Sequence, residues 1–286
     1  SWTDQAGNGY TATAPGNAPD LLTNQLNFNP VLDFTSASSE YLQIANGIMG
    51  SSTYNDVWTY TVHKADAIQT NTIFYENMAA GERINVLLPW SASNIYFDYA
   101  NGGGGRLNGA WGGSINSYNM WTLGSSTSTS TPTGSRKAIS RDGFVILSNN
   151  NNDGGTGNNQ PFLIGGGYAT GLGTSNPFDG KLAEMIIYTG VPSELEQEKI
   201  QSYLGVKYGI TKNSADIAGT VGQDERNYFA SDGSIIWDYV ANTAYHNRVT
   251  GIGRDDASEL DQQQSLSISA GAILTLNKAM AFGSNL

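Results

Sequence analysis

Alternation of apolar and polar positions is the dominant pattern along this chain. Residues 57–62, Val-Trp-Thr-Tyr-Thr-Val, place Trp58, Tyr60 and Val62 on one face and threonines on the other. Residues 94–99 set Ile95, Phe97 and Tyr99 against Tyr96 and Asp98. Short runs rich in β-branched and aromatic residues recur at 31–35, 56–63, 72–76, 83–88, 94–99, 119–123, 137–148 and 182–189, and each predicts a strand. Asn-Gly pairs at Asn8, Asn46, Asn101 and Asn108, and Asp-Gly pairs at Asp142, Asp153, Asp179 and Asp232, punctuate them. Such pairs favour the positive φ angles of tight turns. The clearest hairpin joins residues 137–140 to 144–147 through Asp142-Gly143. The pattern predicts an all-β sandwich.

One segment changes period. Ser193 followed by Glu196 forms a capping box, and acidic residues occupy the first turn, where the helix dipole favours them. Ile200, Tyr203, Leu204 and Tyr208 follow at near-helical spacing, and Gly209 supplies a left-handed stop. A lone helix after a long β region reads as a cap docked on the sandwich. Residues 212–222 are polar without strand pattern and read as a linker, beyond which 228–237 and 270–276 again look β-like. The expected organisation is a sandwich over 1–211 and a linker with a smaller β-rich segment over 212–286. Two low-complexity stretches, 125–131 (Ser and Thr) and 149–159 (mostly Asn and Gly), read as exposed flexible connections.

Charge narrows the partners. Against 14 basic residues stand 25 acidic ones, a formal charge of −11 over 286 residues. Nucleic acid and anionic membrane surfaces both select basic patches, so neither fits. No run approaches the ~18 apolar residues of a spanning helix, which argues against membrane insertion. Cysteine is absent, excluding thiol catalysis, thiolate metal sites and disulfides.

Several segments in order resemble the laminin-G-like, concanavalin A-like jelly roll of large bacterial surface proteins. They are Trp2-Thr3-Asp4-Gln5-Ala6-Gly7-Asn8-Gly9, with Ala6 where Ser is usual, Val31-Leu32-Asp33-Phe34 with Glu40-Tyr41-Leu42, Ser140 to Val145, Phe162 to Gly166, Phe178 to Tyr188, and the helix region 196–209. The resemblance covers about residues 1–210 and implies a jelly-roll β-sandwich. The remainder is similar to a segment that follows this jelly roll in adhesin-like secreted proteins of gliding and polysaccharide-using bacteria, many exported by the type IX route. In such relatives a strand precedes the W-x-D motif, so the sandwich is expected to lack its first strand here. The resemblance further implies an extracellular, cell-surface location and a place among other domains of one large protein.

For catalysis the residues offer little. The E-x-D-x-x-E string by which retaining glycanases of this fold flank a glycosidic bond is missing; Glu259-x-Asp261-x-x-Gln264 comes nearest, and Gln264 donates no proton. Glu194, Glu196 and Glu198 belong to the helix start. His63 and His246 are isolated histidines, there is no G-x-S-x-G, and the glycines at 102–105 and 165–167 form no phosphate-binding motif. The expectation is no enzymatic activity and no required cofactor. Calcium is the cation the pattern would accommodate. Asn149, Asn151 and Asp153 with Gly154 imitate an EF-type loop, although Gln160 stands where a bidentate Glu belongs. Asp255, Asp256, Glu259 and Asp261 form a second acidic group, which an ordinary solvated patch would equally produce.

A sugar platform remains. Trp90, Tyr96, Tyr99, Trp111, Tyr118 and Trp121 fall within a Gly- and Asn-rich stretch. Aromatic faces pack on sugar rings while amides bond hydroxyls, so Trp111 with Asn101, Asn108, Asn116 and Tyr118 is the expected glycan-binding set. Trp58, Tyr60 and Phe97 are assigned to the core. The function expected is non-catalytic recognition or adhesion at an extracellular surface, with a polysaccharide as partner. A glycan-cleaving enzyme and a structural spacer or filament subunit are the alternatives.

Overall fold

A computed structural model describes residues 1–92, 94–100, 105–112, 116–128, 134–151, 154–168, 174–212, 226–245, 248–272, 274–278 and 285. Two antiparallel sheets of seven strands each face one another. Sheet I runs Arg106–Ala110, Asn94–Ala100, Arg83–Leu87, Thr72–Met78, Gly155–Ile164, Leu42–Ile44, with Thr53–Tyr54 also paired to Gly155–Ile164. Sheet II runs Phe144–Asn149, Lys137–Arg141, Asn119–Ser125, Val57–Ala65, Gly180–Tyr188, Asn29–Phe34, Asp20–Leu26. The expected jelly-roll sandwich is therefore present, with its single helix and a β-rich segment after it. Every strand predicted from alternation is found, and Asp142 (φ 52°) with Gly143 (φ 88°) turns the hairpin expected there.

The sandwich interior is filled from alternate positions: Ile84, Val86, Ile95, Phe97, Tyr99 and Leu107 of sheet I meet Trp121, Leu123, Ile139 and Leu182 of sheet II. On Val57–Ala65 the threonine face points inward, whereas Trp58, Tyr60 and Val62 point out of the sandwich and are buried under the helix with Leu26, Val31 and Met120. Gly124 lies opposite Trp58 in register, and a Cβ there would come within 2.5 Å of the indole, so glycine makes room for the ring. Each large side chain so buried stabilises the docking by about 1.5–3 kcal/mol.

The helix spans Glu194–Tyr208 with the predicted caps: the Ser193 and Glu196 side chains accept each other's backbone N–H, and Gly209 closes it at φ 67°. Leu204 and Tyr208 pack on sheet II. Its polar residues Gln197, Glu198, Gln201 and Ser202 are also buried, because a second layer covers it. The fully buried Lys212 ammonium pairs with Glu198 and bonds the Asn227 carbonyl at 3.0 Å, and the Phe229 amide donates to Ser202 Oγ at 3.0 Å. Among the described residues, the C-terminal segment holds three small two-stranded sheets, Tyr228–Phe229 with Ile235–Trp237, Gly253–Asp255 with Leu260–Gln262, and Gln264–Leu266 with Thr275–Asn277.

Two expectations about loops are corrected. Residues 155–159, read as a flexible connection, begin the strand Gly155–Ile164, which pairs with Thr53–Tyr54 and Thr72–Met78; partners supplied by distant sequence override local composition. Asn108-Gly109 is no turn but lies inside Arg106–Ala110, where Gly109 faces Ile95 in register and admits the Leu147 side chain; a Cβ at 109 would lie 2.7 Å from Leu147 Cδ2.

Candidate functional site

The two sheets differ on their outer faces. Sheet II is roofed by the helix, while the outward side chains of sheet I include polar and aromatic groups in continuous rows. Register places Gln43, Leu163, Tyr75, Asn85, Asp98 and Arg106 side by side across six strands. At about 4.8 Å per strand the row is roughly 24 Å long. A second row, Thr72, Leu87, Tyr96 and Asn108, runs beside it. Alternation builds both rows: the residues between them, such as Ile84, Val86, Ile95 and Phe97, belong to the core.

Asp98 is the electrostatic centre. Its side chain is 0% exposed and accepts from Arg83 Nε at 2.9 Å, Arg106 Nε at 2.6 Å and Arg106 Nη2 at 2.8 Å, with Arg83 Nη2 also at 2.8 Å. Both arginine side chains remain 31% exposed. Hydrogen bonding to Asp98 raises the Arg106 pKa, securing its charge. The Arg106 guanidinium also lies 4.6 Å from the centre of the Tyr96 ring, and Trp90, 39% exposed, meets Tyr96 edge-on at 5.1 Å. Beside Asp98 in register, Asn85 Oδ1 is buried without a hydrogen-bond partner. An orphaned buried acceptor is costly, by about 1–3 kcal/mol, unless a donor reaches it. The arrangement offers flat apolar rings and oriented cationic donors on one surface, with an unsatisfied acceptor buried among them.

Of the predicted glycan set, Asn108 lies exposed on this face. Trp111 does not: it is 6% exposed and belongs to the core, 6.2 Å from Trp121, with Arg141 Nη1 donating to its carbonyl at 2.8 Å. The reading of Trp111 as an exposed platform is thereby corrected. The strand Arg106–Ala110 alternates Leu107, Gly109 and then Trp111 inward, so Gly109 makes room for the Leu147 side chain rather than exposing the ring. Tyr118 packs against the apolar cluster beneath the helix, on the side of sheet II, with Lys64 over its ring; burial raises its pKa. Asn116 is exposed in the adjacent turn, and Asn101 lies outside the described residues. The predicted set is not one surface. Sequence reasoning missed Tyr75, Arg83, Asn85, Asp98 and Arg106, although the Tyr96/Asp98 alternation was the signal for them.

The acidic groups also disperse. Among the described residues no three His, Asp or Glu side chains gather as a metal cluster. Asp255 accepts from the Ser231 amide at 2.8 Å and its hydroxyl at 2.6 Å, which lower its pKa, and Asp256 pairs with Arg254. Both serve hairpin structure rather than a shared cation. Asn149 Oδ1 accepts from the Asn151 amide at 3.1 Å while its Nδ2 donates to the Arg106 carbonyl at 3.1 Å; Asp153 and His246 lie outside the described residues. His63 is buried between Trp121 and Phe178, 3.1 Å from Thr61 Oγ1, and desolvation lowers its pKa to about 3.

Residues 196–285 match the family model described as "Domain of unknown function (DUF8202)", a span that begins inside the helix and takes in the C-terminal hairpins. No curated protein matches the chain. Among the described residues, no helix is long and apolar enough to cross a membrane. Solved structures resemble it in fold. Domain 4 of AbnA, a GH43 extracellular arabinanase from Geobacillus stearothermophilus, in complex with arabinotriose, aligns over 67% of this chain and 88% of its own, with 16% identity and a TM-score of 0.51. The CBM40 of the Ruminococcus gnavus IT-sialidase, bound to α2,3 sialyllactose, aligns over 49% and 79%, with 12% identity and a TM-score of 0.37. Domains LG4-5 of the mouse laminin α1 chain align over 63% and 41%, with 12% identity and a TM-score of 0.39. The chain shares with the arabinanase domain the antiparallel β-sandwich.

Proposed function

We propose that this chain is a non-catalytic carbohydrate-recognition module of a larger extracellular, cell-surface protein, and that it binds glycan on the outer face of sheet I. The observation that carries the reading is the pair of rows centred on Asn85, Tyr96, Asp98 and Arg106. Tyr96 and Trp90 offer rings for sugar faces, and the Arg106 guanidinium beside Tyr96 offers hydrogen-bond donors to hydroxyls. The similarity in fold to the arabinanase domain in complex with arabinotriose favours a saccharide over other ligands. Recognition is preferred to hydrolysis because Asp98, the carboxylate of the row, is fully buried and held by two arginines, where it neither attacks nor protonates. Adhesion is the role such a module serves on a surface protein.

The test is calorimetric or gel-retardation binding to a polysaccharide panel with Tyr96→Ala and Trp90→Ala. Each variant is expected to weaken binding by about 1–3 kcal/mol, the range for a lost anchor, while melting stays near wild type. Binding unchanged in both variants would place the ligand elsewhere. Release of reducing ends, lost on mutating one Asp or Glu, would overturn the non-catalytic reading.

A further inference from the structure

We propose that the groove shared by the helix and the C-terminal two-stranded sheets is a second binding surface, separate from sheet I. Its occupant is an extended basic polypeptide segment with apolar residues among its lysines or arginines. The groove has a volume of about 1740 Å³, beyond the ~300–1,000 Å³ of a small-molecule site. It is lined by the end of strand Gly180–Tyr188, the helix, the N-terminal Trp2–Asp4 segment, and residues 228–232 and 248–262. None of Trp90, Tyr96, Asp98 and Arg106 borders it. Four large apolar side chains of the groove, Tyr188, Ile236, Tyr245 and Ile252, are 43–76% exposed. Exposed apolar side chains grouped along a groove mark a surface that meets a partner.

The occupant's chemistry follows from charge. Among the described residues, eight carboxylates and four cations line the groove, a surplus of four negative charges. Lys207 pairs with Glu184 and Arg254 with Asp256, while Arg248 donates to the Ala270 carbonyl at 3.1 Å. Asp4 accepts the Ala6 and Asn8 amides, and Asp261 the Gln263 side-chain amide at 3.0 Å. Those donors are neutral and leave the negative charge in place. Glu259 and Asp261 are both exposed. A basic segment supplies the missing positive charge, and its apolar residues cover Ile236 and Ile252. A second copy of this chain, itself at −11, is repelled. A polyamine brings charge without apolar side chains, and the flat ring of an amino sugar packs on aromatic faces better than on branched isoleucines. Backbone points the same way. Among the described residues, Gly253–Asp255 and Leu260–Gln262 pair with each other alone, so each keeps one edge without a strand partner. An extended polypeptide can add at such an edge through main-chain hydrogen bonds.

The experiment pans a random dodecapeptide phage library on the full chain, then titrates a labelled synthetic peptide of the selected sequence by fluorescence anisotropy. Expected are sequences rich in Lys or Arg interspersed with apolar residues, with binding that weakens as salt rises. Two double variants probe the groove, Glu259→Gln with Asp261→Asn, and Ile236→Ser with Ile252→Ser. Each should weaken binding by at least about fivefold with melting unchanged. Ile68→Ser, exposed outside the groove, should leave binding as it is. No enriched sequence, an enriched sequence that is not basic, or a basic peptide that binds both double variants as it binds wild type would overturn the proposal. Displacement of the peptide by spermine or chitosan oligomers at equal charge concentration would overturn it too, because the groove would then answer to charge alone.

Discussion

The outer faces of the two sheets show how side-chain chemistry decides what a strand's second side does. On sheet II, Trp58, Tyr60, Val62 and Met120 form an apolar surface, and a helix covers it. On sheet I the corresponding positions carry Tyr75, Asn85, Tyr96, Asp98 and Arg106, and the charges are paired in place. Inward, the sheets share one core. The lesson is that alternation alone does not say which face is the core: on Val57–Ala65 the more polar set faces the sandwich interior because the helix claims the aromatic one.

The contrast is most severely tested on the buried side. Trp58→Ala, beneath the helix, and Trp111→Ala, within the sandwich, should each lose about 3–5 kcal/mol in equilibrium denaturation. A loss below about 1 kcal/mol for Trp111 would return it to the surface and revive it as a sugar platform. Next comes Asp98→Ala, which strands two guanidiniums on sheet I. Because both keep partial exposure, about 2–3 kcal/mol is expected, below the cost of breaking a fully buried pair. A neutral result in a urea titration would mean the trio contributes orientation but no stability.

A subtler difference lies in how the sheets respond to pH. Glu76, on Thr72–Met78 of sheet I, is buried and accepts the Ile48 and Met49 amides; desolvation raises its pKa to about 7. Its folded carboxyl holds its proton where the unfolded one releases it. The resulting stabilisation is complete below about pH 4.5 and disappears as pH rises through about 7. His63, on sheet II, has the opposite sign: its lowered pKa gives stability present above about pH 6.5 and lost as pH falls towards 3. Melting curves should therefore show Glu76→Gln losing less stability than wild type between pH 5 and 8, and His63→Gln losing less between pH 7 and 4. Parallel wild-type and variant profiles would remove either assignment. The smallest effect belongs to Asn108→Ala, exposed on the rim of sheet I, with a stability change within about 0.5 kcal/mol in the same denaturation assay.

How much of this was legible in sequence follows from range. The capping box at Ser193–Glu196, the Asp142-Gly143 hairpin and the alternating strands are local, and each is found. The expected glycan set follows the clustering of aromatic residues and glycines in sequence, but a sheet face is assembled from strands far apart. Tyr75, Asn85, Asp98 and Arg106 become neighbours only through register. Trp111 misled because glycine was read as exposure, whereas Gly109 makes space for Leu147. Asp255 and Asp256 are close in sequence yet engage different partners, which composition does not encode.

The turn at Asn27 carries a mechanical consequence. Its Nδ2 bonds the Val206 and Lys207 carbonyls at the end of the helix, at 3.3 and 3.0 Å, and its Oδ1 accepts the Leu266 amide at 2.5 Å. Asn285 Nδ2 then bonds the Asn27 carbonyl at 2.9 Å. One residue near the start of the chain, through its side chain and its carbonyl, thus fastens three later pieces. Tension applied between the two ends of this polypeptide would load these few bonds before the long strand ladders. The C-terminal hairpins should peel away first, at low force, while the sandwich stays folded as the stiffer element behind them.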